Sequence, residues 1–210
     1  MLILAAEYLP SIEYVARLIS SGDNYIIDCG EHYIKRSARN RARIMTANGT
    51  LDLTVPLVKA NRPRTPMQTV KIDYSTPWQH QHWVALKSAY RSSPYFDEIA
   101  ERIEPFYKGH YENLVEFNLA LLRVLLDFMG YTAPLKTTTE YVVATADDID
   151  LRPKRRETTF TTPHYFQLFS DRFPFDENLS IIDLLMSEGN YSADLLKSKT
   201  LGTQLIPRVF

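Results

Sequence analysis

The chain has little of several things that usually betray a function. It carries one cysteine, Cys29, in 210 residues. That excludes an intrachain disulfide and any CxxC pair for zinc or thiol redox chemistry, and a reducing cytoplasm fits. Glycines are few and scattered, with Gly22, Gly30 and Gly49 each isolated, so neither a P-loop nor a dinucleotide-binding fingerprint exists. Net charge is −1, from 24 basic and 25 acidic residues, which leaves no global field to attract nucleic acid or an anionic membrane. Long apolar runs are missing too. Leu119 to Leu126 is interrupted by Arg123 and falls far short of the roughly 20 residues that cross a bilayer. Met1 to Ala6 is apolar, but Glu7 ends the run and no basic segment precedes it, so no signal peptide is expected. These absences predict a soluble, cytoplasmic protein with no membrane insertion and no nucleic-acid partner. With 45% hydrophobic side chains, it can bury a core as one domain over 1–210.

What is present is a concentration of cations. Lys35, Arg36, Arg39 and Arg41, joined by the neutral amide of Asn40, lie just behind Glu31 and Tyr33. Guanidinium forks grip carboxylates and phosphates with paired, charge-assisted hydrogen bonds that a lone ammonium cannot supply. The competing reading is a solvated basic edge.

The hydrophobic pattern predicts an α/β fold, a mixed sheet opening with a βαβ-like unit and a β-hairpin, followed by a mainly helical C-terminal half. Leu2 to Ala6 reads as a buried strand. Ser11 caps a helix whose apolar face is Ile12, Val15, Ala16 and Ile19, Gly22 closes it, and Asn24 to Asp28 is a second strand. Loops after such strands form the ligand crevice, which places Glu7, Tyr8 and Asp28 near it. Asn48-Gly49 is a hairpin turn between 43–46 and 50–55. Further strands are expected at 69–73 and 140–144, and an extended 31–35 would put Glu31, Tyr33 and Lys35 on one side. Lys59 to Met67 reads as a cationic loop able to close over a ligand, and 154–156 as an exposed basic loop. Helices are expected at 78–90, 98–107, 112–129 and, last, 181–186. The strand-rich part is thus 1–75 and the mainly helical part 76–210.

Taken in order, Tyr8-Leu9-Pro10, Glu31 with Tyr33, Lys35 and Arg41, Asn48-Gly49 with Val55-Pro56, His82-Trp83, Ala89-Tyr90, Ser93-Pro94-Tyr95-Phe96 and Asn178-Leu179-Ser180 with Asp183-Leu184-Leu185 resemble the WbqC-like protein family. The resemblance runs over nearly the whole chain. It implies a setting in surface-polysaccharide biosynthesis, especially of O-antigen, without naming a mechanism. Many relatives open with His-Gln-Pro where this chain has Leu4, Ala5 and Ala6. Either His82 carries the proton transfer here, or this subgroup does something different.

His82 is the first candidate base, since a neutral imidazole titrates near the working pH. Its alternative is a packed histidine satisfied by one hydrogen bond. Glu31 is the second, against a structural pair with Lys35. Lys35, Asn40, Arg41, Tyr33 and Tyr90 are the candidate substrate-binding residues. His80 and His82 are two apart and point to different helix faces, so no metal site is expected, and Cys29 has no histidine placed to make it an acyl-enzyme nucleophile. No cofactor is indicated. The expected function is a group transferase acting on an anionic small molecule, a nucleotide sugar or phosphorylated sugar. The alternative is a non-catalytic binding or scaffolding protein for an anionic intermediate or a partner enzyme.

Overall fold

A computed structural model describes residues 1–58, 64–153 and 160–200. Strand β1 (Leu2–Ala5) is buried at every position, as parallel strands covered on both faces are. Ser11 then caps helix α1 (Ile12–Ser20), its Oγ accepting from the Tyr14 N–H at 3.3 Å. The chain reverses through Gly22, at φ +56°, into strand β2 (Tyr25–Asp28), which pairs in parallel with β1 from Leu2 opposite Tyr25 to Ala5 opposite Asp28. The expected βαβ opening is therefore formed. Strands β3 (Arg41–Thr46) and β4 (Gly49–Thr54) make the antiparallel hairpin, with Thr46 opposite Gly49. Gly49 sits at φ +101°, which a side chain would resist.

Helices α2 (Trp78–Tyr90), α3 (Phe96–Lys108) and α4 (Leu114–Phe128) follow. Two-residue strands β5 (Thr137–Thr138) and β6 (Ile149–Asp150) then return to flank the first sheet, giving the all-parallel order β5-β2-β1-β6. Helices α5 (Ile181–Glu188) and α6 (Ser192–Thr200) complete the chain. Parallel and antiparallel pairing both occur, in two sheets, and helices dominate the second half, so the α/β class and its organisation are as expected.

Three expected strands are not strands. At 69–73, Met67–Thr69 is a single 3₁₀ turn, and Lys71 and Ile72 meet Asn113 and Leu57 through isolated bridges only. The alternation of Val70 and Ile72 records burial, not a ladder. At 31–35 the one bridge among the described residues joins His32 to Pro66; proline has no N–H to continue the pairing. At 140–144 the Val142 N–H is taken by the Asp28 carboxylate at 3.1 Å instead of a neighbouring strand. Helix α6 was not expected. The 154–156 loop, and residues 59–63 of the 59–67 loop, lie outside the described residues.

Helix α4, apolar nearly all round, runs through the core as its composition requires, burying Phe117, Leu121, Leu122, Leu125 and Leu126. Asn118 is buried among them, and its amide Nδ2 donates to the Ala6 carbonyl at 3.0 Å and the Arg39 carbonyl at 2.8 Å. One core side chain thus ties the end of β1 to the basic loop. On the other side, Gly30 lets the 139–141 backbone cross the end of β2. A Cβ there would run into the Glu140 carbonyl carbon, a clash that backbone cannot relieve by rotating away.

Candidate functional site, an arginine-lined groove

A groove of about 480 Å³ opens where the chain leaves the C-terminal ends of β1 and β6, the position at which parallel α/β sheets hold ligands. Glu7, Leu9 and Pro10 line it from the end of β1, Ser11 from the start of α1 and Ser180 from the start of α5. Arg36, Arg39, Arg41 and Arg43 line it from the basic loop and β3, and Arg152 from the segment after β6. The volume falls within the roughly 300–1,000 Å³ of small-molecule sites.

These arginines are not equivalent. Arg39 is 1% exposed and makes a two-pronged pair with Glu31, Nε to Oε1 at 2.8 Å and Nη2 to Oε2. Its Nη2 also donates to the Arg152 carbonyl at 3.1 Å. Arg152 is held by Asp150, from Nε at 2.9 Å and Nη2 at 2.8 Å, and by Asp28 through Nη1. Arg43 pairs with Asp52 at 3.2 Å with both side chains about half exposed, a pair of little energetic weight. Among the described residues, Arg36 and Arg41 form no ion pair. Arg41 is half-buried, and its Nε is shielded from solvent with no hydrogen-bond partner. Two non-glycine residues of the groove wall, Leu9 at φ +40° and Arg36 at φ +55°, sit in the left-handed region, which costs on the order of 1–3 kcal/mol each.

The other residues singled out in the sequence lie behind or beside this wall. Burial raises the Glu31 carboxyl above the usual range, and Arg39 pulls it back. Asn40 is buried, accepting from the Tyr33 hydroxyl at 3.0 Å and donating to the Val55 carbonyl at 2.8 Å. Lys35 is exposed. Tyr90 is buried on the Asp183 carboxylate at 2.7 Å, which also receives the Tyr165 hydroxyl at 2.8 Å. His82 is 6% exposed and bonds the Tyr8 hydroxyl through Nδ1 at 2.9 Å. That hydroxyl in turn meets Tyr107 at 2.9 Å. The imidazole also bonds the Thr54 backbone, and burial lowers its pKa to about 4, so it is neutral at pH 7.

Of the predicted set, then, Arg41 lines the groove. Lys35, Glu31, Tyr33, Asn40, His82 and Tyr90 are not among the described residues that do, and Arg41 and His82 do not share its surface. Cys29 is buried, and burial raises its thiol to about 11, which keeps the nucleophilic thiolate scarce. Sequence reasoning missed Arg152. Its signal was only the Asp150-Leu151-Arg152-Pro153 pattern at the end of a strand too short to recognise. No group of three or more His, Cys, Asp or Glu among the described residues is placed to hold a metal, and no described helix is long and apolar enough to cross a membrane.

The chain is 33% identical over 143 residues to the uncharacterized protein Rv1507c of Mycobacterium tuberculosis (strain ATCC 25618 / H37Rv), covering 68% of this chain and 61% of that one. It therefore spans somewhat under two thirds of that relative's length. No solved structure matches it. The model of the WbqC-like protein family matches residues 6–159, a span that takes in Glu7, the basic loop, both hairpin strands and Arg152. By that match the chain that builds this arginine-lined groove belongs to the WbqC-like protein family.

Proposed function

We propose that the groove binds the phosphate or carboxylate of an activated sugar, and that the protein is a cytoplasmic group transferase of surface-polysaccharide biosynthesis. Family membership supports that setting. The observation that carries the ligand class is the contrast among the arginines. Arg39 and Arg152 are already neutralised by carboxylates behind the wall, whereas Arg36 and Arg41 face the groove with no ion pair among the described residues. A ligand carrying about two negative charges completes that arrangement. Glu7, 6% exposed, brings a carboxylate to the same wall and is the group in this reading that takes a proton from the acceptor. Glu31 and Asn40 position the arginine-bearing loop, and His82 holds Tyr8 beneath it.

The test joins binding to turnover. Arg41→Lys keeps the charge and loses the fork, so affinity for inorganic pyrophosphate, measured by calorimetry, is expected to fall on the order of tenfold, about 1.4 kcal/mol, with the melting temperature nearly unchanged. Unchanged affinity with a large loss of stability would make Arg41 a structural residue and remove the ligand assignment. Mass spectrometry on a panel of nucleotide sugars with activated acyl donors is expected to find a new mass that Glu7→Gln abolishes without weakening pyrophosphate binding. The inward commitment of His82 and Glu31 favours a second reading, a non-catalytic carrier of an anionic intermediate. In that case pyrophosphate binds and no panel member is transformed.

A further inference from the structure

One of the arginines that line the groove carries an exposed aromatic ring that anion binding alone does not use. Tyr141 is 57% exposed, yet its ring is mounted on the Arg152 guanidinium, 4.9 Å from ring centre to Cζ. Arg152 lines the groove, so the phenol ring lies one side chain from it. Its backbone is fixed from several directions. The 139–141 segment lies across Gly30, the Val142 N–H donates to Asp28 at 3.1 Å, and the Val142 carbonyl accepts from Arg152 Nη1 at 2.8 Å. Arg152 in turn cannot swing away, because Asp150 and Asp28 hold its three nitrogens. A single exposed aromatic is ordinary on a protein surface. One that is held against a pinned guanidinium and is still more than half exposed, where that arginine lines a groove with Arg36 and Arg41, is a surface for a flat π-system.

We infer that Tyr141 is a stacking platform for a nucleobase, and that the ligand of the groove is a nucleoside diphosphate whose phosphates engage Arg36 and Arg41. This rests on the anion-binding reading above and narrows it. A sugar phosphate would use the arginines and leave the ring idle. A nucleotide uses both, since stacking on an aromatic side chain accepts any base. The Tyr141 hydroxyl has no required part in this, so a phenylalanine serves as well.

Calorimetry with uridine, adenosine and guanosine diphosphates against inorganic pyrophosphate tests it, on the wild type, Tyr141→Ala and Tyr141→Phe. At least one nucleoside diphosphate is expected to bind wild type about tenfold or more tightly than pyrophosphate does. Tyr141→Ala should erase that advantage and leave pyrophosphate affinity unchanged, and Tyr141→Phe should keep it. An exposed ring at this position can be truncated without unfolding, which a thermal melt verifies. Pyrophosphate binding that depends on Arg41, with no nucleoside diphosphate binding more tightly or with an advantage that survives Tyr141→Ala, overturns the platform and leaves the anion groove standing. Failure of pyrophosphate and nucleotides alike overturns both.

Discussion

Glu31→Gln is expected to destabilise the protein by about 3–5 kcal/mol, the usual cost of removing one partner from a buried ion pair. The substitution leaves the Arg39 guanidinium, 1% exposed, with a neutral amide where a two-pronged carboxylate stood. Most of the loss comes from keeping that charge out of water with no opposite charge to compensate it. Because Arg39 also supports the Arg152 carbonyl, and its own carbonyl accepts from Asn118, the damage should reach the groove, weakening pyrophosphate binding as well. Urea unfolding measures the first effect and calorimetry the second. A variant of unchanged stability that had lost turnover alone would instead return Glu31 to the acid-base role its position in the sequence first suggested.

A comparably large effect is expected from pH. The His82 pKa stands at about 4 in the folded chain against an ordinary value of 6.5, lowered mainly by burial. Above pH 6.5 the imidazole is neutral folded or unfolded and contributes no pH dependence. As the pH falls below 6.5 the unfolded chain takes up a proton that the native imidazole refuses until about pH 4. Stability is therefore lost through that window, and at about 1.36 kcal/mol per pH unit the loss reaches about 3 kcal/mol. His82→Gln, which keeps a polar group for Tyr8 and does not titrate, should flatten the slope of stability against pH between 4 and 6.5, whatever its stability at neutral pH. Urea midpoints across that range decide the matter, and the difference between the two slopes isolates His82 from carboxyls titrating in the same window. Equal slopes would mean that the native imidazole takes up its proton near the ordinary value.

The parts of the fold that were legible in the sequence are those whose pattern is local. Ser11 with Ile12, Val15, Ala16 and Ile19, the all-apolar run of β1, and Asn48-Gly49 each state their conformation within a few residues. Strands β5 and β6 could not be read that way. Thr137–Thr138 and Ile149–Asp150 have no periodicity to detect, and they are strands because β1 and β2 already present open edges. The site divided along the same line. The basic loop was visible as composition. Its division into Arg39, consumed by Glu31, and Arg36 and Arg41, facing the groove, depends on which carboxylate lies across the core. His82 shows the same dependence, since a histidine at the start of a helix reads as a base until the ring is found beneath Tyr8 and Trp78.

The far wall of the groove is built from remote sequence. Arg152 meets Asp28 across 124 positions, and β6 joins β1 with Ile149 opposite Leu2. Contacts of that separation are slow to form, because the loop-closure entropy is spent before the contacts repay it. The βαβ unit and the hairpin can therefore assemble from neighbours while the wall that bears Arg152 is still absent. If the groove binds anions as proposed, pyrophosphate binding requires these remote contacts to be in place, and such a probe would report the completed wall where a helical signal does not.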